Sequence, residues 1–206
     1  MANIFSQLFR LPPGGMGRVV VGSKPDDTNK TGIPVTAAIF FDGTGNNRNN
    51  TAQRRMAEHN AANPDDLIYE EEGVPLSPAE SYARYGQDKK GQAKDSYQAG
   101  YSNVSILERM NIKRRTDQKE ISLYIEGIGT QDNLGDDIKG NAFGVGKTGV
   151  TSKVQIGVGR LAERIAKVLK TQKNSYVEQL TIDVFGFSRG ATAARHFVSL
   201  LNDKTP

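Results

Sequence analysis

The sequence predicts an α/β fold in which a parallel sheet is covered by helices. Three observations carry that reading. Residues 35–41, 121–125 and 180–185 are short apolar runs of strand length, continuous enough to be strands buried on both faces. Each gives way to a glycine-containing loop, and helix-favouring stretches separate them. The connections are long enough for the right-handed crossovers that parallel strands require.

The chain has 206 residues, which suits one domain burying roughly 70% of its unfolded surface. Residues 1–34 carry Pro12, Pro13, Gly14, Gly15 and Gly17, then the turn Lys24-Pro25-Asp26-Asp27; they read as an N-terminal leader to a folded portion spanning 35–206. The first strand, Val35-Thr36-Ala37-Ala38-Ile39-Phe40-Phe41, breaks at Asp42-Gly43-Thr44-Gly45-Asn46-Asn47. Residues 48–98 form a polar insertion of low periodicity, interrupted by Pro64, Pro75 and Pro78, with helix expected around 51–61. A segment of this length and composition suits a lid, a binding loop or disorder. Its His59 lacks a ligand-spaced partner and reads as a solvated histidine.

From Ser102 the pattern becomes helical. Val104, Leu107, Met110 and Ile112 fall near one face, Ser102 or Asn103 can cap the start, and Lys113-Arg114-Arg115 close the end. That basic cluster complements a helix dipole; weak attraction to anionic headgroups is the other reading. The second strand, Ile121-Ser122-Leu123-Tyr124-Ile125, ends in Glu126-Gly127-Ile128-Gly129-Thr130. Beyond a glycine-rich stretch, Val154, Val158, Leu161, Ile165 and Val168 recur at steps of four and three, the stripe of an amphipathic helix. The third strand runs into Gly186-Phe187-Ser188-Arg189-Gly190, and Ala191-Thr192-Ala193-Ala194 favours a helix after it.

Strand, sharp turn and helix around G-x-S-x-G describe a mount for a nucleophilic serine. Gly186 and Gly190 are expected where the turn crowds neighbouring backbone, and the amide of Arg189 at the helix start could face an oxyanion. The alternative is an ordinary serine in a glycine-rich junction. In an open parallel sheet, ligands bind beyond the carboxyl ends of the strands. That edge would gather the loops at Asp42 to Asn47, at Gly127, Gly129 and Thr130, and at Ser188.

Gly144-Val145-Gly146-Lys147-Thr148 suggests a phosphate loop, but position 141 is Asn where that motif requires Gly, and no buried strand precedes it. His196 follows Ser188 by eight residues on one helix, roughly 12 Å along its axis, too far for a general base. The absence of cysteine excludes disulfides, thiolate zinc sites and a thiol nucleophile. A net charge of +4, spread along the chain, does not indicate nucleic acid as a partner. No cofactor or metal is called for. The first residues show neither a signal peptide nor any apolar run long enough to span a membrane, which places synthesis in the cytoplasm.

Four blocks taken together, Phe40-Phe41-Asp42-Gly43-Thr44-Gly45-Asn46-Asn47, Ser102-Asn103-Val104, Gly127-Ile128-Gly129-Thr130 and Gly186-Phe187-Ser188-Arg189-Gly190-Ala191 with Ala194-Arg195, resemble the α/β-hydrolase catalytic domain of the type VI secretion phospholipase effectors. The blocks occur in the family's order over roughly residues 35–201. The resemblance implies an α/β-hydrolase-like sheet, here its N-terminal half with the nucleophile elbow. It implies a serine phospholipase or lipase, an antibacterial toxin injected into the target cell's periplasm, acting on phospholipid at a membrane surface. Immunity and secretion-apparatus proteins would be its partners. Ser188 matches the nucleophile, and the Asp42, Gly43 and Thr44 loop matches the segment that shapes the oxyanion site. The triad acid and histidine of the family lie in sequence beyond the matched blocks, in the remainder of the hydrolase chain. A non-catalytic fragment binding an immunity or secretion protein is the alternative.

Overall fold

The computed structural model describes residues 29–63, 78–113, 119–137 and 143–202. Most of the leader, Arg114, Arg115, Asn141 and Asp203 lie outside them. Three strands, β1 (Thr31–Phe41), β2 (Glu120–Ile125) and β3 (Ser175–Gly186), form a parallel sheet in the order β2-β1-β3. Each apolar run of the sequence is a strand. β1 starts before its apolar run, at Thr31, so the sheet takes in residues first assigned to the leader. Pro34 lies inside this central strand, where its missing N–H cannot join a ladder. The register against β3 shifts between Ile33 and Pro34, which accommodates it.

Helices cover both faces, as strands apolar on both sides demand. On one face, Val35, Ala37, Ile39 and Phe41 of β1 and Ile121, Leu123 and Ile125 of β2 pack under α5 (Val150–Thr171) and α6 (Arg189–Asn202). The predicted stripe of α5 is buried at Val154, Leu161, Ile165 and Val168, whereas Val158 is only half-buried. Gly157 explains the shift. A Cβ there would stand 3.0 Å from the Phe41 ring, so the missing side chain lets the helix come down onto Phe41. On the other face, α4 (Asn103–Lys113) covers Ala38 and Phe40 with Val104. Leu107 and Met110 of the same side are half-exposed and border an open groove of about 350 Å³ with Phe40 and Phe185.

The polar insertion begins with a helix, α1 (Arg48–Ala62), whose buried face carries Asn50, Thr51 and Gln53. Asn50 and Thr51 can face inward here because they have partners, whereas the buried Gln53 amide has none among the described residues. The Asn47 side chain caps the helix, accepting from the amides of Asn49 and Asn50. Asn50 donates to the Ser96 hydroxyl and the Gln131 carbonyl and accepts from the Asn133 amide. Thr51 donates to the Ala99 carbonyl. Periodicity of apolar residues cannot reveal a helix held in this way. Among the described residues of this region, α2 (Pro78–Ser81) runs into a π-helical turn at Tyr82–Gly86 and α3 (Asp95–Gln98) follows, with Tyr97 of α3 fully buried beside Tyr82.

The strand ends are level. Phe41 is paired with Ile125 on one side and Gly186 on the other, so the segments beginning at Asp42, Glu126 and Phe187 leave the sheet at one edge.

Candidate active site

Ser188 sits between β3 and α6 with φ +54°. For a residue with a Cβ, left-handed backbone costs roughly 1–2 kcal/mol, and a sharp strand-to-helix turn that projects its side chain is a setting in which such strain persists. The turn closes through the Gly190 amide on the Phe187 carbonyl (2.8 Å) and the Ala191 amide on the Ser188 carbonyl (2.9 Å). It is tied to the central strand by the Phe187 amide on the Phe41 carbonyl. Both flanking glycines are sterically required: a Cβ on Gly186 would lie 2.5 Å from the Gly190 carbonyl oxygen, and one on Gly190 would lie 2.3 Å from that of Asp42. Ser188 itself is exposed.

The other two loops are built against this turn. A Cβ on Gly43 would meet the Phe187 ring at 2.7 Å, and one on Gly127 would meet the Gly43 carbonyl oxygen at 1.9 Å. The three segments therefore stack in the order serine turn, Gly43, Gly127. The Arg189 guanidinium donates to the Thr44 hydroxyl at 2.7 Å, adding a side-chain tie between α6 and the first loop.

Most amides of these loops are already engaged. Gly43 donates to the Asp42 carboxylate, Gly127 to the Asn46 carbonyl, Gly129 to the Thr148 carbonyl and Thr130 to the Gly127 carbonyl. Gly127, Gly129 and Thr130 thus build the platform, and Gly129 adopts φ +85° to do so. Asp42 is likewise an anchor. Its carboxylate is buried and accepts from the Ser102 hydroxyl and the Tyr124 hydroxyl, each at 2.7 Å. Burial, then the Asp42 charge, pushes the Tyr124 hydroxyl far above the usual phenol range, so it stays a donor. Ser102 also accepts from the Ser105 amide, and the expected cap of α4 is thereby linked to the loop beside the serine.

Beneath the second loop lies an ionic cluster that motif reading did not find. Lys153 of α5 is 1% exposed; its ammonium donates to Glu126 (3.0 Å) and to the Thr130 carbonyl (2.7 Å). Arg160 reaches the other Glu126 oxygen at 3.0 Å and also donates to the Tyr124 carbonyl. Burial works against the Glu126 anion, but Lys153 and Arg160 outweigh it and hold its carboxyl below the usual range. Asp132, close by, is pushed up by burial and by the Glu126 charge. One signal was present in the sequence: Lys153 is spaced by four from Gly157 and by eight from Leu161, on the inward side of α5.

Neither histidine is placed to activate Ser188. His59 lies on α1 with its ring beside the Asn63 side chain, and His196 is two turns along α6. Among the described residues no cluster of three or more His, Cys, Asp or Glu could hold a metal ion. No helix of the described residues is long and apolar enough to cross a membrane.

A family model described as "T6SS, Phospholipase effector Tle1-like, catalytic domain" matches residues 86–204, more than half of the chain. The chain belongs to this family. No curated protein and no solved structure matched it. The matched span contains β2, α5, β3, the serine turn and α6, and the parallel sheet flanked by helices agrees with an α/β domain. Membership supports a phospholipase effector of type VI secretion, delivered into target cells, with lipid as substrate. The Asp42 to Asn47 loop lies before the matched span, and its association with the family's site rests on its packing against Phe187 and Gly127.

Proposed function

We propose that the chain carries the nucleophilic half of a serine phospholipase: the Ser188 hydroxyl attacks the ester carbonyl of a membrane phospholipid, releasing an acyl chain by way of an acyl-enzyme. The observation that carries this reading is the left-handed backbone of Ser188 between two glycines that admit no Cβ. Non-glycine residues held in left-handed backbone cluster at active sites, and the adjoining glycines here are fixed by backbone contact on both sides.

The oxyanion would be held by the amide of Arg189 at the start of α6 and the amide of Thr44. Gly43, expected to share that role, has its N–H on the Asp42 carboxylate at 2.7 Å, and Gly127, Gly129 and Thr130 support the loop rather than contact substrate. The general base and its acid come from polypeptide outside these 206 residues, docked beside β3, which carries the serine turn and, like β2, is paired on one side only among the described strands. Immunity and secretion proteins are the further partners of such an effector.

The test is Ser188→Ala in the assembled enzyme, with fatty-acid release from phospholipid vesicles as the readout. Hydrolysis should fall by about 10⁴-fold or more, the scale on which loss of a serine nucleophile acts. Retention of a tenth of the activity would reject Ser188 as nucleophile.

The open flank of β3 favours a second reading in which the same fold is a docking module without catalysis. Phe185 is half-exposed on one side of the strand, and on the other a groove of about 450 Å³ is lined by Val184, Ala194 and Val198. A complex in which the partner brings no histidine or carboxylate to Ser188 would decide for the module.

A further inference from the structure

Exposed apolar side chains stand on the serine turn and on a loop that meets the Arg189 side chain. Phe187, next to the serine, is 58% exposed although its ring lies against Gly43. Beyond the Arg189 side chain stands a second loop with Phe143 at 77% and Val145 at 57% exposure. The two loops touch: a Cβ on Gly144 would lie 3.8 Å from the Arg189 guanidinium. The second loop is also closed on itself. The Val150 amide donates to the Gly144 carbonyl at 2.9 Å, the Gly149 amide to the Gly146 carbonyl at 3.1 Å, and the Ser152 hydroxyl to that same carbonyl at 2.9 Å. A Cβ on Gly149 would lie 2.4 Å from the Gly144 oxygen. These turns close the loop from Gly144 to Ser152, from which Val145 and the adjoining Phe143 stand exposed. Exposed apolar side chains on two adjoining loops mark an interaction surface.

The charge beside them indicates which surface. Lys147 is exposed at the tip of the same loop, and Arg189 lies between the two loops. Asp137, the acid on this rim, is engaged by the Thr148 hydroxyl at 2.8 Å. Phenylalanines beside a lysine and an arginine complement a bilayer surface, whose acyl boundary takes the rings while anionic headgroups meet the lysine.

We propose that Phe143, Val145, Phe187 and Lys147 form a membrane-docking rim that seats Ser188 on anionic phospholipid. The inference rests on the phospholipase reading for its purpose and not for its test, since docking is measured without hydrolysis. The measurement is sedimentation of the full chain with vesicles of phosphatidylethanolamine and phosphatidylglycerol, using Phe143→Ser/Val145→Ser, Lys147→Glu and the control Leu107→Ser, which removes an exposed leucine on α4. Circular dichroism establishes that each variant is folded.

Partition of the double variant should drop about tenfold or more, as expected when an aromatic and a branched side chain no longer enter the acyl boundary. Lys147→Glu should weaken binding about fivefold or more on anionic vesicles, and much less on phosphatidylcholine alone. The control should bind as the parent does. Equal binding of parent and double variant overturns the proposal, as does an equal loss in the control. So does a vesicle-free dimer that Phe143→Ser dissolves, which would assign the rim to a second copy. Loss of hydrolysis in Ser188→Ala leaves these outcomes unchanged. Conversely, an unaltered partition in the double variant leaves the nucleophile standing, and the two readings fail separately.

Discussion

Replacing Lys153 by Met tests the idea that a buried cation fixes the loop packed beside the serine turn. The substitution keeps an unbranched chain of similar length and removes an ammonium 3.0 Å from Glu126 and 2.7 Å from the Thr130 carbonyl. Side-chain exposures are 1% for Lys153 and 5% for Glu126, so water cannot replace the lost donor. Removing one member of a buried ion pair costs about 3–5 kcal/mol. Arg160 still holds the other Glu126 oxygen at 3.0 Å, which lowers the expected loss to about 2–4 kcal/mol. Urea unfolding followed by far-ultraviolet circular dichroism measures it, tyrosine being the available fluorophore in a chain without tryptophan.

The pH dependence follows from the same geometry. The folded-state pKa of Glu126 is depressed once its two cations outweigh burial. Its stabilisation is therefore complete above the ordinary glutamate value and is lost as pH falls through the depressed one. Lys153→Met should raise the pH at which the acid loss sets in. Adding Glu126→Leu to Lys153→Met removes the uncompensated carboxylate and should recover about 1 kcal/mol or more. A single-variant loss below about 1 kcal/mol, or a double variant weaker than the single, would refute the assignment.

Two further outcomes concern the serine turn. Gly190→Ala places a methyl 2.3 Å from the Asp42 carbonyl oxygen, backbone that cannot step aside; thermal unfolding should show a loss of about 3 kcal/mol, at the upper end for overpacking, with weaker labelling of Ser188 by a serine-directed phosphonate in the assembled enzyme. Ser188→Gly removes the Cβ that disfavours φ +54°, so it should stabilise the chain by about 0.5–1 kcal/mol while abolishing hydrolysis. A destabilised Ser188→Gly would show that the turn is unstrained.

Much of the fold was legible because its signals are local. Runs such as Ala37 to Phe41 announce a buried strand without reference to anything distant, and all three runs are strands. The stripe of α5 was read correctly except where Gly157 let Phe41 approach in place of Val158. The α4 stripe misled in the opposite sense: Leu107 and Met110 share a face with Val104, but the sheet beneath them ends at β3. The buried face of α1 had no apolar period to find, because it carries Asn50 and Thr51, which bond to Ser96, Ala99, Gln131 and Asn133 of other segments.

By itself the sequence determined which residues could form strands, where the serine turn lies and why Gly186 and Gly190 flank it, since these depend on backbone conformation and short-range periodicity. Only the tertiary structure decided how the three glycine loops divide their work. An amide can serve an oxyanion or a neighbouring carbonyl but not both, and that choice is made by contacts 60 to 145 residues apart: Asp42 with Ser102 and Tyr124, and Arg189 with Thr44. The placing of a charged lysine under one of those loops was decided in the same way, because its burial is tolerable only where Glu126 and the Thr130 carbonyl converge on it.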